Sequence, residues 1–266
     1  MFIDYHIHSS FSGDCNTPIE DIIKKAIELN LKEIAITDHI DYDYKNIKND
    51  FSIDLIKYFK TLNTYKNLYK DKIKIQKGVE IGLFKEVLNK YKKDILDNDF
   101  DFIIGSIHSI NEMDDLYEGK FFEGKTQKQA YIDYYEHVLE IINMYEDFSV
   151  LGHLDIIRRY GGYNHPLSNM DFKNIIEEIL KTLISKNKGI ELNTSGYRYN
   201  LGDFSPCKNI FKMYKDLNGQ IITLGSDSHI PNQLSYEFES SIDYLKSIGF
   251  DKLTKFEKLK PVFYKI

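Results

Sequence analysis

The sequence predicts an α/β protein built around a mainly parallel sheet. Three observations carry this expectation. Short β-rich apolar segments recur along the chain, segments of helical periodicity separate them, and no Pro/Gly/Ser-rich linker interrupts the alternation. Seven strand candidates come near the eight of a closed (β/α)8 barrel, with a doubly wound open sheet as the main rival. A length of 266 residues allows one large domain or two small ones, and without a linker a single domain over residues 1–266 is expected.

Taken in order, the strand candidates are residues 2–7 (FIDYHI), 33–37 (EIAIT), 73–81 (IKIQKGVEI), 101–107 (DFIIGSI), 148–152 (FSVLG), 189–193 (GIELN) and 220–225 (QIITLG). The first helix is expected after Thr17-Pro18, an N-cap and first-turn pair, with Ile19, Ile22, Ile23, Ala26, Ile27 and Leu29 forming its apolar stripe. Further helices are expected over roughly 53–69, 126–146, 171–187, 206–217 and 233–248.

The bulk composition narrows the class. At 42% hydrophobic and 29% charged, the chain has ample material for a core. A formal charge of −6 gives no broad basic field, so long nucleic acids and anionic membranes are not expected partners. No stretch approaches the roughly 18 apolar residues needed to span a bilayer. Cys15 and Cys207 are too few and too far apart for a disulfide framework, which fits a reduced, cytoplasmic setting. Among 35 basic residues, only Arg158, Arg159 and Arg198 are arginine. Where lysine would serve this chain uses lysine, so an arginine points to planar, bidentate binding.

In both candidate folds the site lies at the C-terminal ends of the strands, and those ends carry the chemistry. The first strand ends in His6-Ile7-His8, where residues two apart point the same way. The next ends carry Asp38-His39, Glu80, His108, and His153 with Asp155 beyond. The sixth leads into Asn193-Thr194-Ser195 and the last into Asp227-Ser228-His229. Singly, each has a plain structural reading: core histidines, a buried ion pair, a helix cap. Jointly, imidazole and carboxylate recurring at one end of nearly every strand point to a centre for Zn, Mn or Fe, with no part for cysteine. His137, inside YYEHVLEII, reads as a helix-surface residue, and His165 as a plain loop histidine. Arg159 reads as a surface ion pair, and Asp41 and Asp43 as members of a solvated acidic loop.

Over nearly its whole length the chain resembles the PHP (polymerase and histidinol phosphatase) family, and within it the monofunctional histidinol-phosphate phosphatases. The resemblance rests on DYHIHSSFSGD at 4–14, ITDH at 36–39, GVEIG at 78–82, GSIH at 105–108, LGHLDIIRRYG at 151–161, ELNTSGYR at 191–198 and GSDSH at 225–229. It implies a distorted (β/α)7 TIM-like barrel holding two to three divalent metal ions. By that resemblance His6, His8, Glu80 and Asp227 bind the first ion, with Glu80 bridging to a second completed by His108 and His153. Asp14, His39 and His229 hold the third. The implied reaction is hydrolysis of L-histidinol phosphate to L-histidinol and phosphate in histidine biosynthesis by a metal-activated hydroxide. Glu80 and Asp227 are then catalytic, Arg158 and Arg198 grip the phosphate, and His229 assists in binding it. Asp155 would orient His153 or Arg158, and Asp41 and Asp43, if not simply solvated, would receive the amine of that substrate. The expected partner is a small phosphate monoester, and an amidohydrolase-like barrel or another phosphoesterase of the same family is the alternative reading.

Overall fold

The β-branched runs of the sequence become the strands β1 (Ile3–Asp4), β2 (Glu33–Ile36), β3 (His39–Ile40), β4 (Lys74–Gly82), β5 (Phe102–Ser106), β6 (Val150–Leu151), β7 (Gly189–Asn193) and β8 (Ile222–Gly225). They were located in a computed structural model that describes residues 2–43, 51–111, 115–163 and 165–266, apart from the Leu96 side chain. Pairing is parallel throughout, in the order β1-β2-β4-β5-β6-β7-β8, with β3 also on β4. Ile36 is in register with Lys77 and His39 with Glu80, so β2 and β3 run along β4 as one kinked strand. The Tyr5 N–H donates to the Leu224 carbonyl at 2.9 Å and the His8 N–H to the Ser228 carbonyl at 2.8 Å. This seam joins β1 to β8 and nearly closes a seven-stranded parallel barrel. The distorted (β/α)7 barrel is the observed fold, and the open sheet is excluded.

Around the barrel run α1 (Ile19–Glu28), α2 (Leu55–Leu68), α3 (Leu88–Asp97), α4 (Gln127–Met144), α5 (Lys173–Ser185), the single turn α6 (Ser195–Arg198), α7 (Lys208–Asp216) and α8 (Phe238–Ser247). Two starts are capped as their residue types favour: Asp54 accepts from the Lys57 N–H, and Thr126 from the Gln129 N–H. At α1 the cap differs from expectation. Pro18 is the N-cap and makes no side-chain cap hydrogen bond, while the Thr17 hydroxyl donates to the His229 carbonyl at 2.7 Å. Thr17 thus ties the first helix to the loop after the last barrel strand.

Strand alternation divides the core. Ile7, Ile34, Ile36 and Ile75 pack outward on α1 and α2, and Ile190, Leu192, Ile222 and Leu224 pack outward on the other side. Ile3, Tyr5, Ala35, Phe102, Ile104 and Val150 meet inside the barrel around Phe256. Phe256 belongs to a C-terminal antiparallel hairpin, β9 (Lys252–Glu257) and β10 (Lys260–Lys265), which sequence reading missed together with α3 and α6. The hairpin seals the barrel floor: the Phe256 N–H donates to the Tyr5 hydroxyl at 3.1 Å, and its carbonyl accepts from Gln76 Nε2 at 3.0 Å.

His137 is a correction. It is buried rather than on the helix surface, on the face of α4 shared by Tyr134, Val138 and Ile141. Positions 134, 137, 138 and 141 recur at i, i+3, i+4 and i+7, so one face carries all four inward.

Candidate metal centre

The centre begins where β1 ends. Ile7 packs outward, and the two flanking histidines, both fully buried, bring Nε2 atoms within 3.0 Å of each other. Glu80, on β4 between the outward-packed Val79 and Ile81, lies at the middle of the assembly. Its Oε2 is 3.0 Å from His6 Nε2, 3.4 Å from His8 Nε2 and 3.3 Å from His39 Nδ1. Its Oε1 is 2.9 Å from His153 Nε2 and 3.3 Å from His108 Nε2, and accepts from the Ser106 hydroxyl at 2.6 Å. One carboxylate therefore faces five imidazoles supplied by the ends of β1, β3, β5 and β6.

Asp227 and His229 follow β8. Asp227 Oδ1 is 3.5 Å from His8 Nε2, 3.8 Å from His6 Nε2 and 3.7 Å from His229 Nδ1. Asp14 Oδ2 lies 3.2 Å from His229 Nε2 and 3.7 Å from His39 Nε2. Asp227 has φ 54°, a left-handed backbone that costs a non-glycine residue of order 1 kcal/mol or more. The Arg198 guanidinium clips that bend, with Nη2 donating to the Ser226 carbonyl at 2.7 Å and the Asp227 carbonyl at 2.8 Å.

Electrostatics here are collective. Burial pushes the Glu80 carboxyl upward, but the facing His6, His39 and His108 outweigh it and hold it well below the ordinary carboxylate value. Asp227 behaves alike: burial raises it, and His6, His8 and His229 carry it well down. Asp14 is also lowered, the hydrogen bond from His229 and the nearby imidazoles overcoming its burial. His8 is pulled down to about 3 by burial, reinforced by His229 and His39. Burial also pulls on His6, His108 and His229, but the facing carboxylates outweigh it and hold these above the ordinary imidazole value, so a divalent ion binding here displaces their protons.

Supporting groups fix these side chains. The Ser12 hydroxyl lies 3.1 Å from His8 Nδ1 and donates to Asp38 at 2.9 Å, while Asp38 also accepts from the Ser9 N–H at 2.5 Å. Asp41 Oδ2 is 2.8 Å from His108 Nδ1. Asp41 is buried and lines the cavity, which corrects the solvated-loop reading, whereas Asp43 is exposed and pairs with Lys90. The Ser195 hydroxyl donates to Asp227 Oδ2 at 3.0 Å. Beneath the cluster, Glu191 Oε1 lies 2.5 Å from His6 Nδ1. Sequence reading gave Glu191 no role, although its place between outward-packed Ile190 and Leu192 marks it as an inward residue.

The cluster opens into a cavity of about 370 Å3 lined by Asp14, His39, Glu80, His108, His153, Asp227 and His229, with Asp41, Phe51, Tyr117, Ile156, Arg159, Tyr160 and Tyr199. The arginine in that lining is Arg159, its guanidinium over the rings of Tyr199 and Tyr160, so its reading as a surface ion pair is corrected. Arg158 and Arg198, expected at the phosphate, are absent from the lining among the described residues. Arg158 Nη1 instead donates to Asp155 Oδ2 at 3.0 Å, and Arg198 holds the 226–227 bend through Nη2, its Nη1 buried without a hydrogen-bond partner among the described residues. Asp155 is a buried hub that also accepts from Asn169 Nδ2 at 2.6 Å and the Ser205 hydroxyl at 2.5 Å. His165 is exposed and outside the lining, as expected for a loop histidine.

The donors suit divalent ions. Three groups, His6/His8/Glu80, His39/Glu80/His108 and His8/Asp14/His39/His229, each bring candidate ligand atoms within 4.8 Å of one another. The first two share Glu80, as a bridging carboxylate would. His153 Nδ1 is buried with no hydrogen-bond partner among the described residues, and no lysine or arginine ion-pairs with Glu80 among them. Imidazole nitrogen with carboxylate oxygen and no thiolate is the set that zinc, manganese and iron accept. Both cysteines are free and buried.

Residues 4–195 match the PHP domain. The chain is 33% identical over 267 residues to the histidinol-phosphatase of Lactococcus lactis subsp. lactis (strain IL1403), covering 97% of this chain and 95% of that protein. It is 32% identical to a probable histidinol-phosphatase of Clostridium acetobutylicum, covering 99% and 97%. Among solved structures, the L. lactis histidinol phosphate phosphatase complexed with zinc, L-histidinol and phosphate superposes with a TM-score of 0.91 at 32% identity, covering 98% of each chain. A putative histidinol phosphatase from Listeria monocytogenes shares the fold, with a TM-score of 0.75 at 22% identity over 90% of this chain and 99% of that one. With its barrel, its cluster and these full-length likenesses, the chain belongs to the PHP domain family, in the branch that holds these histidinol-phosphatases.

Proposed function

We propose that the chain is a histidinol-phosphatase, a metal-dependent phosphoric monoester hydrolase that converts L-histidinol phosphate to L-histidinol and phosphate. One observation carries this reading: an imidazole–carboxylate cluster and an aromatic-backed arginine share one barrel mouth, in a chain alike over 98% of its length to a relative solved with zinc, L-histidinol and phosphate. The activity belongs to one barrel domain over residues 1–266. His6, His8, Glu80 and Asp227 hold the first divalent ion, Glu80 bridges to a second with His108 and His153, and Asp14, His39 and His229 hold a third. When bound, such ions lower the pKa of water toward about 7 and offset charge on phosphoryl oxygens.

The remaining work falls to the chain's own side chains. Arg159 presents planar donors to the phosphate, held by the rings beneath it. Asp41, buried at the cavity wall, accepts from the cationic amine of the substrate. Tyr117, Tyr160 and Tyr199 wall the mouth and limit water. Arg198 keeps Asp227 in its left-handed bend, so its contribution to activity runs through ligand placement. Among the described residues no helix is long and apolar enough to cross a membrane. The free cysteines support a reducing, cytoplasmic compartment.

A substrate panel tests the reading. Wild type and Arg159→Lys are assayed with L-histidinol phosphate and with nucleoside bisphosphates. Wild type should prefer histidinol phosphate, and Arg159→Lys should lose roughly tenfold or more in kcat/KM through the missing bidentate contact. Preference for nucleotides by orders of magnitude would sink the substrate assignment, and unchanged kinetics would remove Arg159 from the phosphate.

A further inference from the structure

Glu191 is a buried carboxylate, 1% exposed, that does not line the cavity, and among the described residues it has no lysine or arginine partner. Its surroundings are built to hold it. Gly225 leaves the space: a Cβ there would collide with Glu191 Oε1 and come within 2.5 Å of the His6 Cβ. Both oxygens are engaged. Oε1 lies 2.5 Å from His6 Nδ1, while Oε2 accepts from the His153 backbone N–H at 3.0 Å and from Asn193 Nδ2 at 3.2 Å. One carboxylate thereby ties the histidine after β1 to the histidine after β6, on nearly opposite sides of the barrel.

We infer that Glu191 is a positioning residue, fixing the tautomer and ring orientation of His6 and the backbone of His153 for metal binding. A carboxylate oxygen at Nδ1 favours the neutral tautomer with its proton on Nδ1, which leaves the Nε2 lone pair for a metal ion. That Nε2 is the atom facing His8 Nε2 at 3.0 Å and Glu80 Oε2 at 3.0 Å. A carboxylate behind a ligating imidazole also makes the ring a stronger donor. This role accounts for a buried negative charge that would otherwise be costly.

The inference rests on the metal reading of the site and is independent of the substrate. Its test is the zinc affinity of the full-length apoprotein, measured by competition with a chromophoric chelator for wild type, Glu191→Gln and Asn193→Ala. The ring tautomer of His6 is read in parallel by nitrogen NMR. Glu191→Gln keeps the shape and a possible hydrogen bond but removes the charge. It should weaken zinc by roughly 10–100-fold and broaden or shift the His6 ring nitrogens, while the apoprotein unfolds at a similar temperature. Asn193→Ala, which removes a neutral contact to Glu191 and a longer one to Asp227 Oδ2 but leaves the Glu191 carboxylate on His6, should weaken zinc less. Zinc affinity of Glu191→Gln within twofold of wild type, with the His6 tautomer unchanged, overturns the inference. So does a loss that appears only alongside collapse of apoprotein stability in both variants. Should wild type itself bind no zinc, the metal reading and this inference fall together; failure on histidinol phosphate alone touches only the substrate.

Discussion

At Glu80 two oxygens divide five imidazoles between them, and the carboxyl stays ionised despite complete burial because those imidazoles face it from several strands. His137 is the contrasting case: burial with little compensation pulls it down to about 4, and its Nε2 has no partner. The unfolded chain takes up a proton there near pH 6.5 while the folded chain does not. Stability is therefore present above that pH and is lost as pH falls from about 6.5 toward 4, by up to about 3 kcal/mol. Urea unfolding at pH 7 and pH 4.5 checks this. His137→Leu should lose about 2 kcal/mol less than wild type over that interval, and parallel losses would refute the assignment. The burial was legible in the i, i+3, i+4, i+7 spacing of Tyr134, His137, Val138 and Ile141, which residue type alone obscured. Arg158 and Arg159 were harder. Both sit on the one short 3-10 turn, Ile156–Arg159, where successive side chains differ by about 120° in direction. Only the three-dimensional path of that turn decides which arginine enters the cavity.

The C-terminal hairpin shows what patterning conceals among the elements. Its two-residue turn places Lys258 at φ 49° and Leu259 at φ 61°, left-handed values that Asn-Gly or Asp-Gly pairs ordinarily announce. With neither glycine nor asparagine in the turn, the sequence offered no hairpin signal. Strands β1, β2 and β4 through β8, by contrast, were legible because their apolar runs are bounded and β-branched, while the two-residue β3 was not. The hairpin matters through Phe256, which is 2% exposed beneath Tyr5 and Phe102. Phe256→Ala should cost about 3–5 kcal/mol by leaving a cavity in the barrel floor. Denaturant midpoints measured at constant m would show it, and a cost under about 1 kcal/mol would mean the floor can collapse. Metal content should stay at the wild-type level, since the cluster lies at the opposite end of the strands.

Across the whole molecule, the candidate ligand positions were readable because a parallel barrel sends every strand's C-terminal end to one rim. His6, His8, His39, Glu80, His108, His153, Asp227 and His229 were all found by that rule, and the structure brings them together. The supporting layer was not readable that way. Asp41 and Glu191 make contacts with partners distant in sequence, and no local spacing encodes those contacts. A cluster drawing on so many strands also couples ions to global stability. Stripping them with a chelator should lower the melting temperature by about 5–10 °C relative to protein in zinc at roughly 100 times its dissociation constant, and added zinc should restore it. Equal melting temperatures would mean that the ions do not favour the native state.

The seam between β1 and β8 has a consequence for how the chain is made. His6 and His8 stand at its beginning and Asp227 and His229 near its end, yet they face one another across that seam at 3.5–4.3 Å between atoms or ring centres. A chain ending at residue 226 contains seven of the nine candidate ligands and the last barrel strand itself, but neither group that closes the first and third sets. During synthesis, then, the candidate ion-binding set is completed only once residue 229 has emerged, and a fragment ending before it lacks both groups.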